Sequence, residues 1–365
     1  MPPDPISSAP GNRVPVSVIT GFLGSGKTTL LNRLVRHPGM ADTALIVNEF
    51  GEIGIDHELV DSSFENTVVM DSGCICCSIR GDLIDTIGDL FANVGQGRLP
   101  AFSRIVIETT GLADPVPIVH ALSGEPVITD RCRLDSVVAT VDAQNGARQL
   151  DTHEEAVRQA AVADVALITK TDLVSPDVVQ SLARRLARLN PGLPIHMVQH
   201  GEIDPELLFD GSTRAVERIA VISNDAPADE THAQAASHDH EHDHGHEHHD
   251  DADVNRHGDI RAHTIRTTVP LSWDRLRLWL ETVFSLRGAD FLRLKGIVQV
   301  VGEDRPVVIQ AVGNTFSPPR ALARWPAGVR GSRIVLITRG LAPDDLQKSF
   351  DAFVIGGIAD AGARE

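Results

Sequence analysis

A chain of 365 residues, 42% of them hydrophobic, has enough apolar material for two separately packed domains. Its net charge of -17 argues against a nucleic-acid surface, and no apolar run approaches the roughly 18 to 20 residues that span a bilayer. Four cysteines, three clustered and Cys132 alone, do not form the paired framework of a secreted scaffold, so the cytoplasm is the expected compartment.

The opening stretch MPPDPISSAPGNR is Pro- and Ser-rich without an apolar core, and reads as a disordered leader over 1–13. VPVSVIT (14–20) is then the first of several short β-branched runs. GFLGSGKTT follows it directly and precedes an amphipathic helix, TTLLNRLVR. Strand, G-x-x-x-x-G-K-[ST] and helix in that order define a phosphate loop rather than a plain Gly-rich turn. Gly21, Gly24, Ser25, Gly26 and Thr29 belong to the cradle, whose backbone N–H groups turn inward at the helix N-terminus. Lys27 is expected to meet the β- and γ-phosphates, and the Thr28 hydroxyl to ligate magnesium.

TALIVNE (43–49) reads as the next strand, and a short one over 67–70 leads into DSGCICCSIRG. Cys74, Cys76 and Cys77 lie between this strand and a helix that includes LIDTIGDLF. One short loop can offer two or three thiolates to zinc, and a helix N-terminus favours the thiolate form. No second cysteine pair exists to close a structural site, so an open, exchangeable metal site is expected. The C-x-x-C spacing of Cys74 and Cys77 also permits a redox reading, and core packing is a third.

RIVIETT (104–110) puts a carboxylate, Glu108, at the end of its strand, where a Walker-B acid would reach magnesium through water; Gly111 follows, spaced to offer an N–H to a γ-phosphate. DSVVATVD and VALITKTD are further strands. In the second, Lys170 and Asp172 have the spacing of the guanine motif Asn-Lys-x-Asp. An Asp carboxylate accepts from the N1–H and amine of guanine, for which adenine has no matching donors. GTP is therefore preferred over ATP, with Thr169 standing where the motif favours Asn. These nearly continuous apolar runs, alternating with helices, imply a doubly wound, mostly parallel α/β sheet of P-loop NTPase type.

Between Asp225 and Asp259 lie eleven acidic residues and one Arg. His238, His240, His242, His244, His246, His248 and His249 interleave with these acids. Such a stretch has almost nothing to bury, so a mobile linker is expected, either collecting metal at weak exchanging sites or simply solvated. His57, His120, His153, His196 and His200 read as structural or surface residues. Beyond the linker, RLRLWLETVF reads as a helix with Leu276, Trp279, Leu280 and Val283 on one face, and FLRLKGIVQVVG, PVVIQAVG and RIVLITRG read as strands. The expected division is a GTPase domain over 14–222, a linker over 223–258 and a small α+β domain over 259–365.

The phosphate loop, NEFGEIGID (48–56), GCICC, ETTGLADP and TKTD, in this order, resemble the CobW-like family of P-loop GTPases, which is related to the nickel-insertion GTPases HypB and UreG. The resemblance runs from about Val14 through the His-rich linker into a CobW-type C-terminal domain. It implies a GTP-dependent switch that carries a transition metal to a client protein, and by analogy with related GTPases a homodimer across the nucleotide face. It makes 48–56 switch I, with Glu49 and Glu52 as candidate metal or nucleotide-sensing carboxylates. It also makes Cys74, Cys76 and Cys77 the metal motif. Val47 stands where some relatives place a Glu, so that carboxylate is missing here. ETTGLADP is closer to the zinc-associated branch than to the cobalamin branch, which puts zinc first and cobalt second. No residue after TTG stands out to position water, so slow intrinsic hydrolysis is expected. The rivals are a cobalt chaperone in cobalamin biosynthesis, a non-catalytic metal store, and a P-loop kinase, against which the lack of an Arg-rich lid speaks.

Overall fold

The computed structural model describes residues 13–47, 68–71, 79–209, 260–326 and 329–356. Switch I, the Cys loop and the His tract lie outside these residues.

The N-terminal unit is built on seven strands, β1 (Val14–Gly21), β2 (Thr43–Val47), β3 (Val68–Asp71), β4 (Arg104–Glu108), β5 (Cys132–Asp142), β6 (Val165–Thr169) and β7 (Ile195–Val198). Their order is β3-β2-β4-β1-β5-β6-β7, and every pairing is parallel. β2 and β6 are buried throughout, as strands covered on both faces must be. Alternate residues feed two cores. Val16, Val18, Ile105, Ile107, Val137 and Ala139 face the helices Ile79–Gly95, Val116–Gly124, Glu154–Val162 and Pro176–Leu189. Ile19, Leu45, Val106, Val138 and Leu167 face the other way, onto Leu30, Leu31 and Leu34 of the helix Lys27–Leu34. Each such fully buried aliphatic side chain contributes roughly 1.5 to 3 kcal/mol, so this face holds the helix that ends the phosphate loop in place. Cys132, at the start of β5, is buried, and burial pushes its thiol up to about 11 against the opposing charge of Arg131.

The C-terminal unit is an antiparallel sheet of β8 (Ile260–Thr267), β9 (Phe291–Val298), β10 (Val307–Val312), β11 (Thr315–Phe316), β12 (Arg320–Ala321) and β13 (Ser332–Arg339). The path is β11-β10-β9-β13-β8, with β12 paired to β10. One face carries the helices Trp273–Arg287 and Pro343–Phe350 around Trp279, Phe284, Phe291 and Phe350. The Trp279 indole N–H donates to Ser349 Oγ at 3.0 Å, so its polar edge is satisfied as it is buried. Leu276, Trp279 and Leu280 are buried as the periodicity predicts. Val283 is only partly buried, and Phe284, one position on, fills the core instead.

Ile260, Leu292, Val312 and Ile337 share one apolar cluster with the helices of the N-terminal sheet, so the two units are packed together. Within this contact Asp164 is paired with Arg293 and, at 2.9 Å, with Lys295. No helix among the described residues is long and apolar enough to cross a membrane.

Candidate nucleotide site

Parallel strands place all their carboxyl ends on one edge of a sheet, and ligands of doubly wound folds bind there. On that edge β1 runs into the phosphate loop, β4 into the turn after Glu108, β5 into the turn after Asp142 and β6 into Lys170–Leu173.

The phosphate loop is tightly determined. Gly21 adopts φ +147, and a Cβ there would lie 2.2 Å from Thr140 Oγ1 and 2.5 Å from the Thr140 carbonyl oxygen. Gly24 and Gly26 adopt φ +70 and +91, which side-chain-bearing residues rarely tolerate. Ser25 Oγ lies 2.6 Å from Thr140 Oγ1 across the sheet, and Ser25 N–H donates to the Phe22 carbonyl. Lys27, itself buried, donates from Nζ to the carbonyls of Gly21 at 2.8 Å and Phe22 at 3.3 Å, within the ring of the loop. Thr28 and Thr29 begin the helix, and Gly201 packs its backbone on the Thr29 carbonyl and Leu30. Phe22 stacks on His153, with ring centroids 4.5 Å apart, so this exposed histidine flanks the loop.

Glu108 is buried at the end of β4, in register with Ile19 of β1 and Val47 of β2. The next residue ties the two turns together: Thr109 N–H donates to the Ile19 carbonyl, and Thr109 Oγ1 to Thr20 Oγ1 at 3.0 Å. Gly111 then passes so close to the phosphate loop that a Cβ would meet Leu23 backbone atoms at 2.8 Å. Sequence reasoning placed Gly111 at this loop, but not the residue that holds it. Gln159, buried on the helix Glu154–Val162, donates from Nε2 to the carbonyls of Gly111 at 3.2 Å and Ala113 at 3.0 Å. A lone Gln on a helix carries no signal in the sequence.

At the other end, Thr169 Oγ1 donates to the Ser25 carbonyl at 2.7 Å, binding the turn after β6 to the phosphate loop. The Thr at the Asn position of the motif thus acts as a tether. Lys170 takes φ +56, and its Nζ lies 2.9 Å from Asp142 Oδ2. Asp142 also accepts from Gln144 N–H at 2.8 Å and Asn145 Nδ2 at 3.0 Å. Burial pushes the Asp142 carboxyl upward, but these bonds and the ammonium outweigh it and hold the carboxyl below its ordinary range. Asp172 is exposed in the short turn Thr171–Leu173. Asp142 was legible only as a strand-terminal acid.

Glu49, Glu52, Cys74, Cys76, Cys77 and the seven tract histidines lie outside the described residues. Among the described residues, no group of three or more His, Cys, Asp and Glu side chains could hold a metal ion. Of the isolated histidines, His120 and His196 are half-buried and His200 is exposed; His57 lies outside the described residues.

A parallel sheet with a glycine cradle after its central strand and a strand-terminal carboxylate beside it defines a P-loop NTPase. The family model "CobW/HypB/UreG, nucleotide-binding domain" matches residues 15–197, and "Cobalamin synthesis protein cobW C-terminal domain" matches 260–354. The chain belongs to this family. It is 32% identical over 306 residues to the zinc chaperone YjiA of Escherichia coli, covering 84% of this chain and 88% of that protein. It is 29% identical over 358 residues to the zinc chaperone CobW of a Sinorhizobium species, covering 89% and 92%. The crystal structure of Zn(II)-bound YjiA GTPase from Escherichia coli superposes with a TM-score of 0.68 at 27% identity, covering 94% of this chain and 99% of that one.

Proposed function

We propose that this protein is a GTP-hydrolysing metallochaperone. It binds a transition metal, zinc first and cobalt second, at Cys74, Cys76 and Cys77 and passes it to a client protein under nucleotide control. The GTPase domain is 14–222, the linker 223–258 and the C-terminal domain 259–365. The observation that carries this reading is the joining of a phosphate cradle to a base-reading turn through Thr169 and Ser25, in a chain similar over most of its length to proteins named zinc chaperones.

In this reading Gly21, Gly24, Ser25, Gly26 and Thr29 wrap the phosphates, and Lys27 leaves its bonds to the Gly21 and Phe22 carbonyls for the phosphate oxygens. Lys170, steadied by Asp142, lays its stem along the base, and Asp172 accepts from the guanine edge. Gly111 and switch I sense the γ-phosphate. Magnesium takes hard oxygen donors, and the Thr28 hydroxyl and the Glu108 carboxylate are of that kind, so the residues fit the ion. Bound there, it would neutralise charge developing on the phosphates. Hydrolysis by the isolated protein is slow, because no residue after TTG stands out to position water.

The test is a titration of zinc and cobalt into wild type and a Cys74/Cys76/Cys77→Ser variant, each with GDP and with a non-hydrolysable GTP analogue. A chaperone shows one tight site whose affinity changes with the nucleotide and which is lost in the variant. Equal metal affinity in the two nucleotide states sinks the switch. Capacity that survives the Ser variant but disappears on deleting 237–251 marks a store.

A further inference from the structure

The helix Glu154–Val162 holds the loop after β4 along its length, and the C-terminal sheet holds the helix at both ends. Midway, Gln159 clamps the carbonyls of Gly111 and Ala113. Two acceptors facing Nε2 fix the orientation of its amide and leave Oε1 buried, with no hydrogen-bond partner among the described residues. An unpaired buried acceptor is a destabilising element, and a loop N–H turned toward it would satisfy it. Beside Gln159, Arg158 donates to Asp114 Oδ2 at 2.6 Å, while Asp114 Oδ1 accepts from Val116 N–H at the start of the helix Val116–Gly124. Gly111 to Asp114 is thus bonded to two consecutive side chains of one helix.

The ends of that helix belong to the other unit. Glu154, in its first turn, pairs with Arg158 at 2.8 Å and with Arg339 of β13 at 2.9 Å. Asp164, just past its last turn, pairs with Arg293 and Lys295 of β9 and accepts from Val137 N–H at 3.0 Å. A third contact closes the circuit: the turn at Gly313, between β10 and β11, approaches Val116 so closely that a Cβ would lie 2.8 Å from Val116 Cγ1.

We propose that Gln159 and Arg158 are the positioning residues of the γ-phosphate-sensing loop, and that the helix 154–162 transmits the state of this loop to the C-terminal domain. The proposal rests on the reading of Gly111 as the γ-phosphate sensor. A loop that moves must break its bonds to Arg158 and Gln159 or take the nine-residue helix with it. Packed helices shift as units between discrete arrangements, so the second course carries the movement outward. The Asp164 cluster is buried and costly to open, so it acts as the pivot. The Glu154–Arg339 pair is partly exposed and is the contact that yields. Coupling is reciprocal: a client seated on the C-terminal sheet that displaces Arg339 shifts the preference between GTP and GDP by the factor that GTP shifts client affinity.

The experiment measures Kd for GDP and for a non-hydrolysable GTP analogue on the full chain in wild type, Gln159→Met, Arg158→Ala and Arg339→Ala. Gln159→Met keeps the volume and removes the donor. It is expected to weaken the analogue at least about fivefold while GDP changes less than about twofold. Arg158→Ala, at a partly exposed position, gives the same split and does not depend on repacking the core. Arg339→Ala, in the other unit, removes the contact that yields and so tightens the analogue about twofold or more with GDP unchanged. Equal loss for both nucleotides in Gln159→Met and Arg158→Ala, or no loss, overturns the positioning role. An unchanged ratio in Arg339→Ala overturns the transmission. Wild type that binds neither nucleotide refutes the functional reading instead, and the proposal with it.

Discussion

Lys170 holds its ammonium 2.9 Å from Oδ2 of the buried Asp142, so the turn after β6 is fixed by a residue 28 positions earlier on the neighbouring strand. Lys170 takes a left-handed backbone at φ +56, and its partner Asp142 is held in turn by Gln144 N–H and Asn145. Asp142→Asn removes the charge and leaves Lys170 unpaired. Loss of one charge-assisted bond at a half-exposed lysine is worth about 1 to 2 kcal/mol, or roughly 5- to 30-fold in affinity for guanine nucleotides. Calorimetric titration with GDP measures it, and unchanged affinity would show that the turn is held elsewhere.

Thr169 has a single hydroxyl proton and two carbonyls in reach, Ser25 at 2.7 Å and Val141 at 3.3 Å; the shorter bond, to the phosphate loop, takes it. Thr169→Val should therefore leave the Ser25 carbonyl unpaired, at a cost of about 1 to 2 kcal/mol in urea unfolding, and speed nucleotide release. Thr169→Asn retains a donor and is expected to lose less. If Val and Asn behave alike, the hydroxyl is not a tether.

Two glycines are irreplaceable for different reasons. Gly21→Ala combines a disfavoured φ with a Cβ 2.2 Å from Thr140 Oγ1, so nucleotide binding should be lost with about 2 kcal/mol or more of stability. Gly111→Ala drives its Cβ into Leu23 and is expected to weaken the GTP analogue more than GDP. Parallel titrations with the two nucleotides separate these outcomes.

The interdomain cluster gives the protein an acid limit. Burial pushes the Asp164 carboxyl up, but Arg293, Lys295 and the Val137 N–H prevail and hold it below its ordinary value. The unfolded chain, with its carboxyl near about 3.9, then binds the proton more readily than the folded one. The contribution of Asp164 is complete above that value and is lost as pH falls through the lower folded one. Asp164→Asn should cost about 3 to 5 kcal/mol at pH 7 by removing the buried charge that Arg293 and Lys295 share. Its deficit relative to wild type should shrink below pH 4 in denaturant melts; a deficit independent of pH would place the effect elsewhere.

How far the chain could be read in advance follows from which interactions are local. β1, β2, β4, β5 and β6 are covered on both faces, so each is an apolar run that announces itself. β7 is a short, half-exposed edge strand, IHMV, and β8 is an edge strand interrupted by Arg261 and Arg266; neither has such a signature. The phosphate loop was legible because its chemistry sits in nine consecutive residues. Its supports were not, because they exist only through adjacency in the sheet. Ser25 and Thr140 are 115 residues apart, and Gln159 reaches Gly111 across 48. The tie between the units, Asp164 to Arg293, spans 129 residues and leaves no local pattern at all.

The sealed position of Cys132 has a practical consequence for thiol chemistry. Alkylating reagents attack the thiolate, and a buried thiol pushed up to about 11 presents almost none at neutral pH. Under native conditions the fourth cysteine is therefore silent, and any label taken up reports on Cys74, Cys76 and Cys77 alone. Counting modified sulfurs by mass, with and without metal and with either nucleotide, reads how many of the three are engaged in the unmutated chain.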